Sequence, residues 1–179
     1  IVRITHAGVV YWPNLGHGRF GAAVRMDTPP WLAPVPLEFD ARRLRLADLD
    51  GTGTADLCYF TDEGLQVYRN QSGNSFAPAE TFPGIPPQVA NNGQFVDFYG
   101  SGTSVLLWST TVPGFFVKAW DPLNHVKPHL LSEVDNHMGR IVKMQYAPST
   151  KFYVQDRLAG RPWVTKLPFP VHVVERVES

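Results

Sequence analysis

The chain has 179 residues, 44% hydrophobic and 18% charged, which suffices for one domain with a real core and is short for two. Sixteen basic residues balance sixteen acidic ones, so the basic stripe of a nucleic-acid binder and the charged face of a membrane-surface binder are both missing. No stretch approaches the roughly 20 apolar residues of a membrane span, so direct membrane insertion is not expected, and no charged-then-apolar leader opens the chain.

Fifteen glycines and sixteen prolines are scattered along the sequence, a pattern of many short elements joined by turns, and it points to an all-β fold. The opening run Ile1-Val2-Arg3-Ile4-Thr5-His6 alternates like a strand already under way, without an initiator Met, and is expected to be part of a longer polypeptide. Next comes Val10-Tyr11-Trp12-Pro13-Asn14-Leu15-Gly16-His17-Gly18-Arg19-Phe20, which returns as Val67-Tyr68-Arg69-Asn70-Gln71-Ser72-Gly73-Asn74-Ser75-Phe76. Each copy reads as a strand ending in Val-Tyr, an Asn/Gly turn and a strand restarted by Phe.

A second repeat is offset from the first. Arg45 to Leu57, containing Asp48-Leu49-Asp50-Gly51-Thr52-Gly53-Thr54-Ala55-Asp56, has an eroded copy from Gln94 to Leu106. The spacings from Asp48 to Asp97 and from Tyr11 to Tyr68 are close to the roughly 40 to 50 residues of a propeller blade of about four strands. Strands are predicted at Leu44–Ala47, Asp56–Thr61, Leu65–Asn70, Phe95–Tyr99, Ser104–Ser109 and Phe115–Asp121. Proline-rich loops are expected from Thr28 to Pro36 and from Phe82 to Asn92. Cys58 lies in an apolar run and reads as a buried strand thiol.

After Leu123 the repeats stop. Gly139 to Tyr146 alternates as one more half-buried strand, and the proline-bearing tail from Ala147 is expected to supply edge strands and bends. The organisation is therefore read as a propeller-like region of about two blades over 1–123 and a transition into further strands over 124–179.

One loop carries recognisable chemistry. Asp48, Asp50 and Asp56 stand at positions 1, 3 and 9, with Thr52 at position 5 and the Thr54 carbonyl at position 7. Calcium accepts six to eight oxygens at flexible distances, and alternate side chains of a tight loop can present them to one centre. Magnesium demands a stricter octahedron. No Glu follows at position 12, so the EF-hand pattern is not met and a strand-loop-strand calcium site is expected. The eroded copy keeps Asp97 but has Tyr99, Ser101, Thr103 and Val105 at the equivalent places, and is expected to hold no ion.

The Asp48 loop, followed by Gly64-Leu65-Gln66-Val67-Tyr68 and the Gly73 to Phe76 turn, resembles the FG-GAP/VCBS repeat of integrin-type propellers. A broader resemblance rests on Val2 to Gly8, Tyr11 to Gly16, the Asp48 loop, Tyr146-Ala147-Pro148-Ser149-Thr150-Lys151-Phe152-Tyr153 and Gly160 to Val171. These strings look like the middle/N-terminal region of the B component of bacterial Tc insecticidal toxin complexes, related to the SpvB-type virulence proteins. The resemblance implies a secreted toxin whose B-component propeller docks on a pore-forming A component. With the C component it forms a shell of YD/RHS-type strands around a toxic enzyme. On this reading Tyr146 to Val174 lies on the shell side, and no catalytic residue falls in this chain.

Two other function classes compete with this reading. For an enzyme, His125 and His129 are the best metal ligands, but Pro128 separates them and neither a nucleophile elbow nor a phosphate loop is present. A lectin-like or adhesive calcium-dependent propeller would use Trp12, Trp31, Trp108, Trp120 or Trp163, residue types that in β folds more often pack than bind.

Overall fold

Short apolar runs punctuated by Gly, Pro and Asn produce short strands, and all the sheet pairings below are antiparallel. The computed structural model describes residues 1–33, 35–111, 114 and 116–179. Phe115, the predicted start of one strand, and Pro34, in the first predicted loop, lie outside the described residues. The fold is all-β with few helices, and among the described residues the sheets do not close into a propeller. Two compact units are present: Ile1–Asp48, Gly53–Gly93 and Trp108–Phe115 form one, and Leu49–Thr52, Gln94–Leu107 and Phe116–Ser179 the other.

In the first unit, β1 (Val2–Thr5), β2 (Gly8–Tyr11) and β5 (Val24–Arg25) form a sheet in that order, and β3 (Asn14–Gly16) pairs with β4 (Arg19–Phe20). A four-stranded meander follows: β6 (Leu44–Ala47), β7 (Asp56–Thr61), β8 (Gly64–Tyr68) and β11 (Glu80–Phe82), with the small hairpin β9 (Asn70–Gln71) and β10 (Ser75–Phe76) inserted before its last strand. The sequence repeat reappears as register. Asn14 pairs with Phe20 and Asn70 with Phe76, and the turns between them use positive φ at Gly16, His17 and Gly18 in one copy and at Ser72 and Gly73 in the other.

The structure extends this repeat upstream of where the sequence shows it. Thr5 pairs with Gly8 and Thr61 with Gly64, and each threonine hydroxyl donates to the partner glycine carbonyl, at 3.1 and 2.9 Å. β5 then adds to β2 as β11 adds to β8. The segment from Gly8 to Tyr11 is one residue shorter than that from Gly64 to Tyr68, so the match slips in the sequence while the hairpins coincide.

β7 and β8 are central strands covered on both faces, which explains why Leu57 to Phe60 reads as an unbroken apolar run and why only Gln66 interrupts the apolar residues of β8. Leu57, Cys58, Phe60, Leu65 and Val67 have no exposed surface. Burying each large side chain of this kind contributes about 1.5–3 kcal/mol. One face of the sheet gives Leu57, Tyr59 and Tyr68 to a cluster with Val9, Met26, Leu32 and Phe76, and Phe39 stacks on Tyr59 with ring centroids 6.0 Å apart. Burial pushes the Cys58 thiol up to about 12, reinforced by the nearby Asp56 carboxylate, so it is an inert core group. The short helix α1 (Val89–Asn92) closes this part of the chain, buried through Val89 and Ala90.

In the second unit, β12 (Gln94–Val96) pairs with Val105 to Leu107 of β13 (Val105–Thr110), and the strand β14 (Phe116–Trp120) follows in the chain. The predicted half-buried strand is β16 (Ile141–Pro148), central between β15 (Glu133–Asp135) and β17 (His172–Glu178), with Val142, Met144 and Tyr146 on its more buried side. The tail departs from expectation. It contains a ten-residue helix, α2 (Ser149–Leu158), where strands were anticipated. Gly160 at φ +74° ends it: its N–H donates to Arg157 and that of Arg161 to Asp156, the paired reverse bonds of a glycine-terminated helix. Trp163 folds back to donate from Nε1 to Asp156 at 2.8 Å and meets Tyr153 edge to face. Among the described residues no helix is long and apolar enough to cross a membrane.

Candidate metal loop and family relationships

The predicted loop runs from the end of β6 to the start of β7. One carboxylate oxygen each from Asp48, Asp50 and Asp56 lies within 4.8 Å of the others. That spread matches oxygens on opposite sides of one calcium at about 2.3–2.6 Å each. Gly51 and Gly53 take φ of +73° and +85°, conformations that glycine adopts without steric penalty. The loop is also tied internally: Asp50 Oδ1 accepts the Thr52 N–H at 3.1 Å and Asp48 Oδ2 accepts the Gly53 N–H at 2.9 Å. The Thr54 hydroxyl donates to the Asn70 carbonyl at 3.5 Å, which ties the end of the loop to the chain after β8.

Asp56 has partners that sequence reasoning missed. It is fully buried, Oδ2 accepts from the Arg69 guanidinium at 3.1 Å, and Oδ1 accepts the Asn70 N–H at 2.8 Å. Arg69 reaches on to Glu80 at 3.5 Å. The guanidinium is thus shared between Asp56 and Glu80. Three carboxylates converging on one loop are a hard oxygen donor set, the type that calcium takes. The signal was available in the repeat itself. The copy that bears the carboxylate loop has Arg69 after its Tyr, while the other copy has Trp12 and Pro13 there.

The eroded copy preserves the backbone and loses the donors. Gly100 and Gly102 have φ of +64° and +68°, and Asp97 Oδ2 accepts the Gly102 N–H at 2.9 Å, the same five-residue step as Asp48 to Gly53. In place of Asp56 stands the fully buried Val105, and the Ser101 and Thr103 hydroxyls bond each other at 2.7 Å. Of the histidines, His125 pairs with Asp121 and packs on Tyr99, whereas His129 meets the Asp50 carbonyl at 3.1 Å. Of the tryptophans, Trp31 is exposed and the other four are half-buried.

The model of the insecticide toxin TcdB middle/N-terminal region matches residues 70–178, well over half of the chain. The chain belongs to this family. Solved structures agree. A chain of the Photorhabdus luminescens Tc holotoxin pore is 33% identical, with a TM-score of 0.83 over 98% of this chain and 8% of its own. A TcdB2–TccC3 crystal structure gives 33% identity and a TM-score of 0.82 over 98% of this chain and 9% of that one. TcdB2–TccC3 without its hypervariable C-terminal region gives 32% and 0.80 over 98% and 8%. This member of the TcdB middle/N-terminal family thus spans less than a tenth of the length of the solved chains it matches. No curated protein matches it significantly.

Proposed function

We propose that this segment is a non-catalytic structural and docking module of a Tc-toxin B component, acting in a secreted toxin. Residues 1–123 contribute FG-GAP/VCBS-type blades to the propeller that binds the pore-forming A component. Residues 124–179 lead into the shell which, with the C component, encloses the toxic enzyme. The supporting observation is the overlap of 98% of the chain with a holotoxin chain at a TM-score of 0.83 and 33% identity. The repeated hairpins and the four-stranded meander from Leu44 to Phe82 are of blade size. The test is co-purification of the full-length parent with a pore-forming component. Retention supports the reading, and its absence overturns it.

Calcium has a supporting part in this reading. Asp48, Asp50 and Asp56, with Thr52 and the Thr54 carbonyl, would hold the ion and staple β6 to β7. Binding only to the folded state stabilises by about 2.7 kcal/mol at a hundredfold excess over Kd. For a chain of this size that corresponds to a rise in Tm of about 5–10 °C. Saturating calcium is expected to raise the Tm of the wild type by that amount relative to chelator, and Asp50→Ala is expected to abolish the response. Equal melting of the wild type in calcium and in chelator would remove the site.

A further inference from the structure

The eroded loop raises the question of what replaces the ion. Gly102 lies between two opposite charges: its N–H donates to Asp97 Oδ2 at 2.9 Å, and its carbonyl accepts from the Lys127 ammonium at 2.8 Å. Asp97 Oδ1 accepts the Ser101 N–H at 2.8 Å, and the Gly100 carbonyl accepts the Thr150 hydroxyl at 2.7 Å. His172 also packs here, its imidazole within 4 Å of the position a Cβ on Gly102 would occupy. Burial, then Lys127, lowers the His172 pKa, and Asp97 acts in the opposite direction. Every turn of the eroded loop is thus held by a donor of the protein itself.

The residues next to Lys127 serve the other loop. A Cβ on Gly51 would lie 2.7 Å from Pro128 Cγ and 3.8 Å from the Lys127 ammonium. The next residue, His129, brings Nε2 to 3.1 Å from the Asp50 carbonyl. Three consecutive residues therefore touch the tip of the first loop, Asp50 and Gly51, and the glycine turn of the second.

We infer that Lys127-Pro128-His129 is a strap joining the two repeat loops, in which the Lys127 ammonium ties down the glycine turn of the Asp97 loop through the Gly102 carbonyl, a tether that needs no metal ion. A covalently attached cation needs no free ion, so this half of the pair is held whatever the calcium concentration. The inference does not depend on the docking role, and failure of either leaves the other standing.

The intact chain tests it by melting and by terbium luminescence. Lys127→Met is expected to lower Tm by about 3 °C or more, equally in calcium and in chelator, because a charge-assisted hydrogen bond is lost and calcium cannot replace it. Lys127→Arg is expected to recover most of that loss. Terbium, a hard cation sensitised by nearby aromatic rings, is expected to give no signal that Asp97→Asn removes. A Lys127→Met chain melting within 1 °C of wild type would overturn the strap. So would terbium emission from the wild type that disappears in Asp97→Asn, and this second reading holds even if Lys127→Met does not fold.

Discussion

Gly64→Ala is expected to disrupt the four-stranded sheet of the first unit. Gly64 opens β8 at φ +138°, a region that residues with a Cβ rarely enter. A Cβ there would lie 2.3 Å from the Phe82 carbonyl oxygen and 3.0 Å from both Phe82 C and Pro83 Cα. These are backbone atoms, so no side-chain rotation relieves the clash, and the pairing of Leu65 with Phe82 must open. Strain and lost pairing together are expected to cost about 4 kcal/mol or more, at the extreme of single-residue effects. In thermal melting this appears as a fall in Tm exceeding about 8 °C, or as loss of the cooperative transition. Gly53→Ala is the control: φ is also positive, at +85°, but nothing lies within 4 Å of the new Cβ. It is expected to cost only about 1 kcal/mol, as for an L-residue held in the left-handed region.

Asp56→Ala is the second large effect. Removing the carboxylate leaves the Arg69 guanidinium without its buried partner and the Asn70 N–H without its acceptor. Breaking a buried pair from one side typically costs about 3–5 kcal/mol, and the half-exposed Glu80 at 3.5 Å compensates only part of the Arg69 charge left behind. The cost is expected in chelator as well as in calcium, which separates this structural role from metal binding. Arg69→Met combined with Asp56→Ala is expected to cost less than the two single changes together, since no buried charge is then stranded and Glu80, which loses Arg69, is half-exposed. Strict additivity in that double-mutant cycle would mean that the pair is not a coupled unit.

These two residues show what was legible in the sequence and what was not. The strands at Leu44–Ala47 and Asp56–Thr61 coincide with prediction, because apolar runs bounded by turn residues define central strands without further information. The carboxylate loop was legible from spacing, since residues 1, 3 and 9 of one continuous turn need no tertiary knowledge to be brought together. Arg69 stood out in the repeat, but its pairing with Asp56 was not legible, because it depends on the register of β7 against β8, where Leu57 lies opposite Tyr68. Helix α2 was hidden for another reason. Thr150, Phe152, Tyr153 and Val154 favour strands by local propensity, and the helix has no strong apolar stripe. The informative signals were the absence of Gly and Pro between Ser149 and Ala159 and the stop at Gly160, and these lay inside a string weighed for its family likeness.

Under the proposed function, the loop from Asp48 to Asp56 would be one brace of a larger docking module. The most direct test is co-elution of the full-length parent with a pore-forming A component and with a C component, for wild type and for Gly64→Ala. Wild type is expected to retain both partners, while Gly64→Ala, which damages only the blade region, is expected to lose the A component and keep the C component. A variant that melts as a damaged sheet but still co-elutes with the A component would contradict the assignment of these blades to docking.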